Sequence, residues 1–390
     1  MNGQNRQREF PLAAPARQVT FSVYLDTYFA YSTHRPRDHT LVGTASVGRH
    51  GEFQLNLAGA GVEWNYQNII GRLSVQTGDM LDLVHDQDAS VQRGRQLSTA
   101  NLRNIREAAI GYHWDVHGGL NAEAGILPSF IGLESYLLAE NWNYNRSFVS
   151  EFTPFYLQGV RVQYFPNARW KIEPWIANGW QSFAAWNEAP SLGLAASYRP
   201  REALAFNASI YTGTDTRGDA RRRRVHTDHS MLARYLNAPS RLVSKAALSV
   251  DNHFGYEHGG SAEAAPARPL FLGSAVAHRL WLGHDRYAIT IRGELVDNPT
   301  RYLAITPTPA GFSDAGSSLH LAGATITFDV LPNDFFAWRF ELLWRRSNVP
   351  YFAGDGGTTS ADGFRGTPGT FIPDLRTTQS LLSSAITFRL

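Results

Sequence analysis

The hydropathy of this chain repeats every two residues, and one phase of the repeat is unusually aromatic. In 335–345 (FFAWRFELLWR), Phe336, Trp338, Phe340, Leu342 and Trp344 make one stripe, and Arg339, Glu341 and Arg345 make the other. Period two is the strand signature. A stripe of Trp, Phe and Leu is costly against water and natural against lipid with interfacial aromatics. The opening segment 20–32 repeats the pattern, with Phe21, Val23, Leu25 and Phe29 opposed to Tyr24, Asp26 and Tyr28. In 286–296, Tyr287, Ile289, Ile291 and Leu295 oppose Thr290, Arg292 and Glu294.

The alternation recurs at 118–127, where Leu120, Ala122, Ala124 and Ile126 share a face, and at 156–165, 169–182 and 204–211. It is weak at 224–237 and 269–281. Residues 52–66 begin with Phe53, Leu55 and Leu57 in one phase and end with Val62, Trp64 and Tyr66 in the other. Gly59 and Gly61 sit at the change, which predicts a bulge there.

Composition narrows the classes. Of 390 residues 43% are hydrophobic and 12% aromatic, too apolar for a disordered chain. With no Cys there is no disulfide framework, thiolate zinc site or cysteine nucleophile. A net charge of +2 argues against a dedicated nucleic-acid binder. No run approaches the roughly 18 apolar residues of a membrane helix. The length alone suggests about two or three soluble domains, but one large barrel takes it as well. A mean hydropathy of −0.28 is what two unlike faces average to.

Connection lengths decide between these. Tight turns carrying Pro, Asn, Gly or Asp are predicted at 67–68, 116–118, 166–168, 199–201, 238–240, 283–285 and 331–334. Long connections lie between them at 33–51, 81–102, 128–150, 183–189, 214–227, 258–268, 298–317 and 349–376. A soluble propeller or sandwich explains this rhythm poorly. It predicts an all-β fold: a single transmembrane antiparallel up-and-down β-barrel of about 16 strands, with short periplasmic turns and long extracellular loops. The final strand, LLSSAITFRL, places Leu382, Ile386, Phe388 and Leu390 on one face. Residues 1–17 are polar and lack the apolar core of a signal peptide. They are expected to be a flexible segment of a mature, exported chain with an added Met. The barrel then spans 18–390, and the expected location is the bacterial outer membrane.

Several segments resemble the outer-membrane β-barrel porin family described as OmpL-like. They are the opening strand with Tyr24, Asp26 and Tyr28, FQLNLAGAGVEW (53–64), and GILPSFIGLESYLLAENWNYNRSF (125–148) running into PFYLQGVRVQYF (154–165). IANGW (176–180) follows. Asn145 stands where that family commonly has Ser, and Phe130 where it has Pro. The resemblance covers about the first 215 residues, and beyond them only the strand rhythm matches. It implies a porin-like outer-membrane protein and little about its solute.

The third long connection, 128–150, is too apolar for a solvated tip: Ile131, Leu133, Tyr136, Leu137 and Leu138 must pack against something. By analogy with sixteen-stranded porins it is expected to fold inward, with Glu134, Asn141, Asn143, Asn145 and Arg146 as a pore constriction. The expected lumen lining is Asp26, Arg72, Glu123, Arg161, Lys171, Glu173, Arg292, Glu294, Arg339, Glu341 and Arg345. Lys245, Glu107, Asp251 and Asp329 share that phase. The signs nearly balance, which favours ion pairs bracing the wall over a selective ring of one charge. Arg221–Arg224 reads as a solvated charge run in a loop, with a cationic mouth as its functional alternative.

No Gly-x-Ser-x-Gly elbow or His-Glu-x-x-His motif is present. His226 and His229, flanking Asp228, could bind a metal, but loop histidines are more often just polar surface, and no metal is expected. The expectation is a channel without enzymatic activity or cofactor, passing small hydrophilic solutes. The alternative is a plugged structural barrel whose loops bind a partner protein or surface polysaccharide. Expected surroundings are outer-membrane lipid and lipopolysaccharide, with a homo-trimer or a partner protein as candidate assemblies and no nucleic acid.

Overall fold

Lipid offers no hydrogen-bond partner to a backbone edge, so a sheet that meets it must close on itself. The computed structural model describes residues 17–85, 88, 102–185, 187–216, 219–260, 269–300, 303, 318–358 and 374–390. The first half of the wall is β1 (Arg17–Ser32), β2 (Phe53–Tyr66), β3 (Ile69–Thr77), β4 (Ile105–Trp114), β5 (Leu120–Pro128), β6 (Tyr156–Asn167), β7 (Trp170–Ala177) and β8 (Ser191–Arg201). The second half is β9 (Leu204–Gly213), β10 (Arg223–Asn237), β11 (Val243–His258), β12 (Leu270–Leu282), β13 (Tyr287–Asn298), β14 (Leu319–Val330), β15 (Phe336–Ser347) and β18 (Thr378–Arg389). Each strand pairs antiparallel with its neighbours, and β1 closes the sixteen-stranded barrel against β18. A small ribbon of β16 (Phe352–Ala353) and β17 (Leu375–Arg376) stands in the last long connection.

The two phases of the alternation separate cleanly. Phe21 is 75% exposed and Leu295 66%, whereas Asp26, Thr290 and Asp329 are fully buried. One end of the barrel carries two-residue hairpins such as Gln67–Asn68, whose φ values of +50° and +67° match the turn twist that such loops need. The other end carries the long connections.

The structure corrects several expectations. The β1–β2 register shifts between Asp26 and Thr27, which pair with Leu57 and Leu55, so the extra residue is Asn56 and the bulge lies upstream of Gly59 and Gly61. Asn56 and Leu57 are consequently both buried, and Leu57 leaves the outer stripe. Ile126 is buried in a cluster with Leu137 and Tyr156. β8 continues through Arg199–Arg201, moving that turn to 202–203. β7 ends at Ala177 and β3 at Thr77, so both following connections begin earlier, the second with a helix at Asp79–His85. β10 begins at Arg223, which shortens the fifth long connection to 214–222. Most of the first seventeen residues lie outside the described residues.

Candidate functional site

The connection from β5 to β6, residues 129–155 and here called L3, lies inside the barrel. Its apolar residues explain why: Ile131, Leu133, Leu137, Leu138, Trp142 and Phe148 are all buried. A loop that buries such side chains must also satisfy its own backbone, and side chains from the wall do this.

L3 leaves β5 through Gly132, whose φ of +93° suits glycine and whose N–H donates to Asp228 on β10. Farther along, the Glu341 carboxylate on β15 accepts the backbone N–H of Tyr144 at 2.6 Å and of Asn145 at 2.9 Å. It also accepts the Asn145 side-chain amide at 2.8 Å. Glu294 on β13 accepts the Phe148 N–H at 2.5 Å.

Arginines take the loop's carbonyls. Arg292 Nη1 donates to Asn145 O at 2.8 Å and Arg345 Nη2 to Arg146 O at 2.8 Å. Arg339 Nη1 reaches Leu138 O at 2.8 Å, and Arg279 Nη1 reaches Trp142 O at 2.9 Å.

Each residue expected in a constriction has a definite partner. Glu134 pairs with Arg292 at 3.0 Å and accepts the Ser147 N–H at 2.6 Å. Asn141 closes L3 on itself, accepting from Ser135 N at 2.7 Å and donating to Ser135 O at 3.0 Å. Asn143 donates to Thr327 on β14 at 2.7 Å. Arg146 Nη2 donates to Ser150 O, and its guanidinium lies 4.2 Å over the Phe155 ring. Burial would raise the Glu134 carboxyl, but the Arg292 charge and the Ser147 N–H outweigh it, so the shift is downward from the ordinary 4.5. Glu151, beyond Arg146, goes the other way, because burial dominates over Arg146 and Arg345.

The bulge at Asn56 belongs to this site. Its side-chain amide donates to Asp26 Oδ2 at 3.0 Å and to Tyr144 Oη at 3.0 Å, while Tyr144 Oη–H donates to Asp26 Oδ1 at 2.9 Å. The first long connection joins in. Thr44, Ala45 and Ser46 all donate to Glu151, and Ser46 Oγ accepts the Arg146 N–H at 3.0 Å.

The rest of the expected lining forms a second charge system on β3–β7. Glu107 meets Arg72 at 3.5 Å, Arg72 meets Glu123 at 3.0 Å, and Glu123 meets Arg161 at 2.7 Å. Arg161 lies 3.7 Å from Glu173, which holds Lys171 at 2.6 Å. Positive and negative groups alternate along the ladder. Breaking one buried pair by removing a partner strands the other charge, at a cost of about 3–5 kcal/mol.

Strand phase bears on the histidine pair and on the arginine run. His226 points inward and is buried, whereas His229, three residues on along a strand, is exposed on the outside. They cannot share a metal. His226 Nε2 instead lies 2.9 Å from His253 Nδ1. The Arg221–Arg224 run is half internal: Arg222 and Arg224 both bond to Glu257.

Sequence reasoning missed Arg279, Tyr144, Asn56, Ser46 and Glu151. Arg279 lies in the weakly alternating stretch before Trp281. Tyr144 had a visible signal, an aromatic set among amides and Arg in NWNYNR.

A closed sixteen-stranded wall, apolar outside and charged inside, with a loop fastened in its lumen, defines an outer-membrane porin-type barrel. The chain belongs to the family described as Putative beta-barrel porin-2, OmpL-like, whose model matches residues 18–389. Its place is the outer membrane. The fold is similar to OprB of Pseudomonas putida (TM-score 0.58, 9% identity, covering 96% of this chain and 94% of that one). It is similar to the outer-membrane channel DcaP of Acinetobacter baumannii (0.56, 10% identity, 100% of both chains). It is also similar to OmpT of Vibrio cholerae in its trimer form (0.55, 10% identity, 96% and 100%). No curated protein matches the sequence.

Proposed function

We propose that this protein is an outer-membrane channel through which small hydrophilic solutes diffuse, with L3 as the constriction. The observation that carries this reading is the docking of L3 on inward-facing side chains of β12–β15, at Arg279, Arg292, Glu294, Arg339, Glu341 and Arg345. A loop held across a polar lumen sets a size cutoff without a cofactor. The lining charges pair with one another, which supports weak ion selectivity. We propose that outer-membrane lipid and lipopolysaccharide surround the wall, with no enzymatic activity, and that a homo-trimer is the assembly to test first, as OmpT is described in a trimer form.

A second reading is a plugged barrel whose long loops bind a partner protein or surface polysaccharide. It is favoured by the burial of Arg345, Glu341 and Arg292, at 0%, 1% and 2% exposure. Planar-bilayer recordings on purified protein separate the two. Stepwise conductance by the wild type supports the channel. A silent wild type that conducts once 133–147 is deleted supports the plug, and silence from both would end the channel reading.

A further inference from the structure

The lipid-facing wall is mostly apolar, and one of its outward rows is more polar than the row below it. Strand register carries a single row across β10–β15: His229 pairs with Asn252, then come Ser274, Leu295, Ala322 and Arg346. All six lie on the outward phase. Leu295 stands proud at 66% exposure, while Ser274 and Ala322 are short. In the next row toward the short turns, a Cβ added to Gly293 would meet nothing within 4 Å. Phe254 and Leu272 rise on the loop side. The wall is therefore hollowed into a groove of about 960 Å³, within the size range of small-molecule sites, roughly 300–1,000 Å³.

Two side chains that carry formal charge line this groove, Asp297 and Arg346. Asp297, on its rim, has His320 Nδ1 at 2.9 Å, an ion pair only when that histidine is protonated. Arg346, two positions from the exposed Trp344 on the same face, has no carboxylate partner among the described residues. A cation on the lipid-facing side of a barrel is unfavourable unless it is near the interface or meets an anion. Guanidinium matches phosphate in a bidentate geometry.

We propose that this groove binds one acyl lipid with an anionic phosphate head group. Its chain lies over Ser274, Leu295 and Ala322, and its phosphate sits on Arg346. The site is separate from the lumen, so the proposal does not depend on whether the barrel conducts.

Native mass spectrometry of the full chain, stripped of bulk lipid in detergent, tests it with two probes of identical acyl chains, phosphatidylglycerol and phosphatidylcholine. The expected result is one phosphatidylglycerol retained and no phosphatidylcholine. Arg346→Gln, which removes a charge-assisted contact, and Ala322→Trp, which fills the groove, should each lower retention about tenfold. Heat-modifiable electrophoretic mobility checks that both variants are closed barrels, and Arg346→Gln, an exposed change, keeps the test valid if Ala322→Trp does not fold. Equal retention of the two lipids, or unchanged retention in Arg346→Gln, overturns the proposal. So does an oligomer that Ala322→Trp dissociates, because the groove would then be covered by a second copy of the chain.

Discussion

Arg292 and Glu134 meet at 3.0 Å inside the barrel, although 158 positions separate them in the chain. This pair joins L3 to the wall, and Arg292 also donates to the carbonyl of Asn145. Glu134→Gln should therefore destabilise the barrel, by less than the roughly 3–5 kcal/mol of a fully stranded buried charge, because Glu294 stays 3.6 Å from Arg292. The double variant with Arg292→Met should recover part of that loss. Denaturant unfolding in detergent, run as a double-mutant cycle, measures the coupling. Additive effects would show that the two side chains act independently.

Glu341→Ala should free the middle of L3. It removes the acceptor of two backbone N–H groups and one side-chain amide, each costing about 1–3 kcal/mol when left buried and unpaired. The expected readout is a larger and noisier single-channel conductance than wild type. An unchanged trace would mean that the segment at 144–145 does not limit the pore.

The chain has no cysteine, so an introduced pair is read without background. Asn143→Cys with Thr327→Cys replaces a 2.7 Å hydrogen bond between L3 and β14. Mild oxidation should link 143 to 327 in most molecules. A reducible shift between unboiled samples reports this, and no link at all would place L3 elsewhere in solution.

Acid should loosen L3. The folded Glu134 carboxyl lies below its ordinary 4.5. Such a group contributes stability that is complete above the unfolded value and lost as pH falls through the folded one. Hydrogen exchange at Ser147, whose N–H donates to Glu134, should hold steady down to about that ordinary value and then rise below it. Glu134→Gln should abolish the step, and a step that survives this substitution would assign it to another group.

The ladder on β3–β7 should resist salt, since buried pairs are screened far less than exposed ones. Glu123→Gln, which leaves both Arg72 and Arg161 short of a partner, is expected to lower stability by about 3–5 kcal/mol. Reversal potentials in a salt gradient should stay small in the wild type, because the ladder's charges cancel along its length. Strong anion or cation selectivity would contradict this.

What could be read in advance follows from periodicity. The inward position of Asp26, Glu123, Arg292 and Glu341 needs only the two-residue repeat. The position of the bulge does not follow from it. Gly59 and Gly61 carry the backbone freedom, yet the extra residue is Asn56, whose amide serves Asp26 and Tyr144. That requirement exists only once L3 is in place. The start of β10 was obscured for a related reason, because Arg222 and Arg224 look like loop residues until Glu257 appears beside them. The anchoring of L3 by Arg339 and Arg279 was invisible, since both bond to main-chain carbonyls that leave no trace in side-chain pattern. His226 and His253 meet only through the β10–β11 register.

L3 is synthesised after β5, yet the arginines and glutamates that hold it lie on β12–β15, and β18 seals the wall against β1. Contacts so distant along the chain form late. Seating the loop and sealing the seam depend on the same final third of the polypeptide. A chain truncated before β15 would lack the seam and the anchors at Arg339, Glu341 and Arg345, and a half-seated loop would mark it as an unfinished barrel.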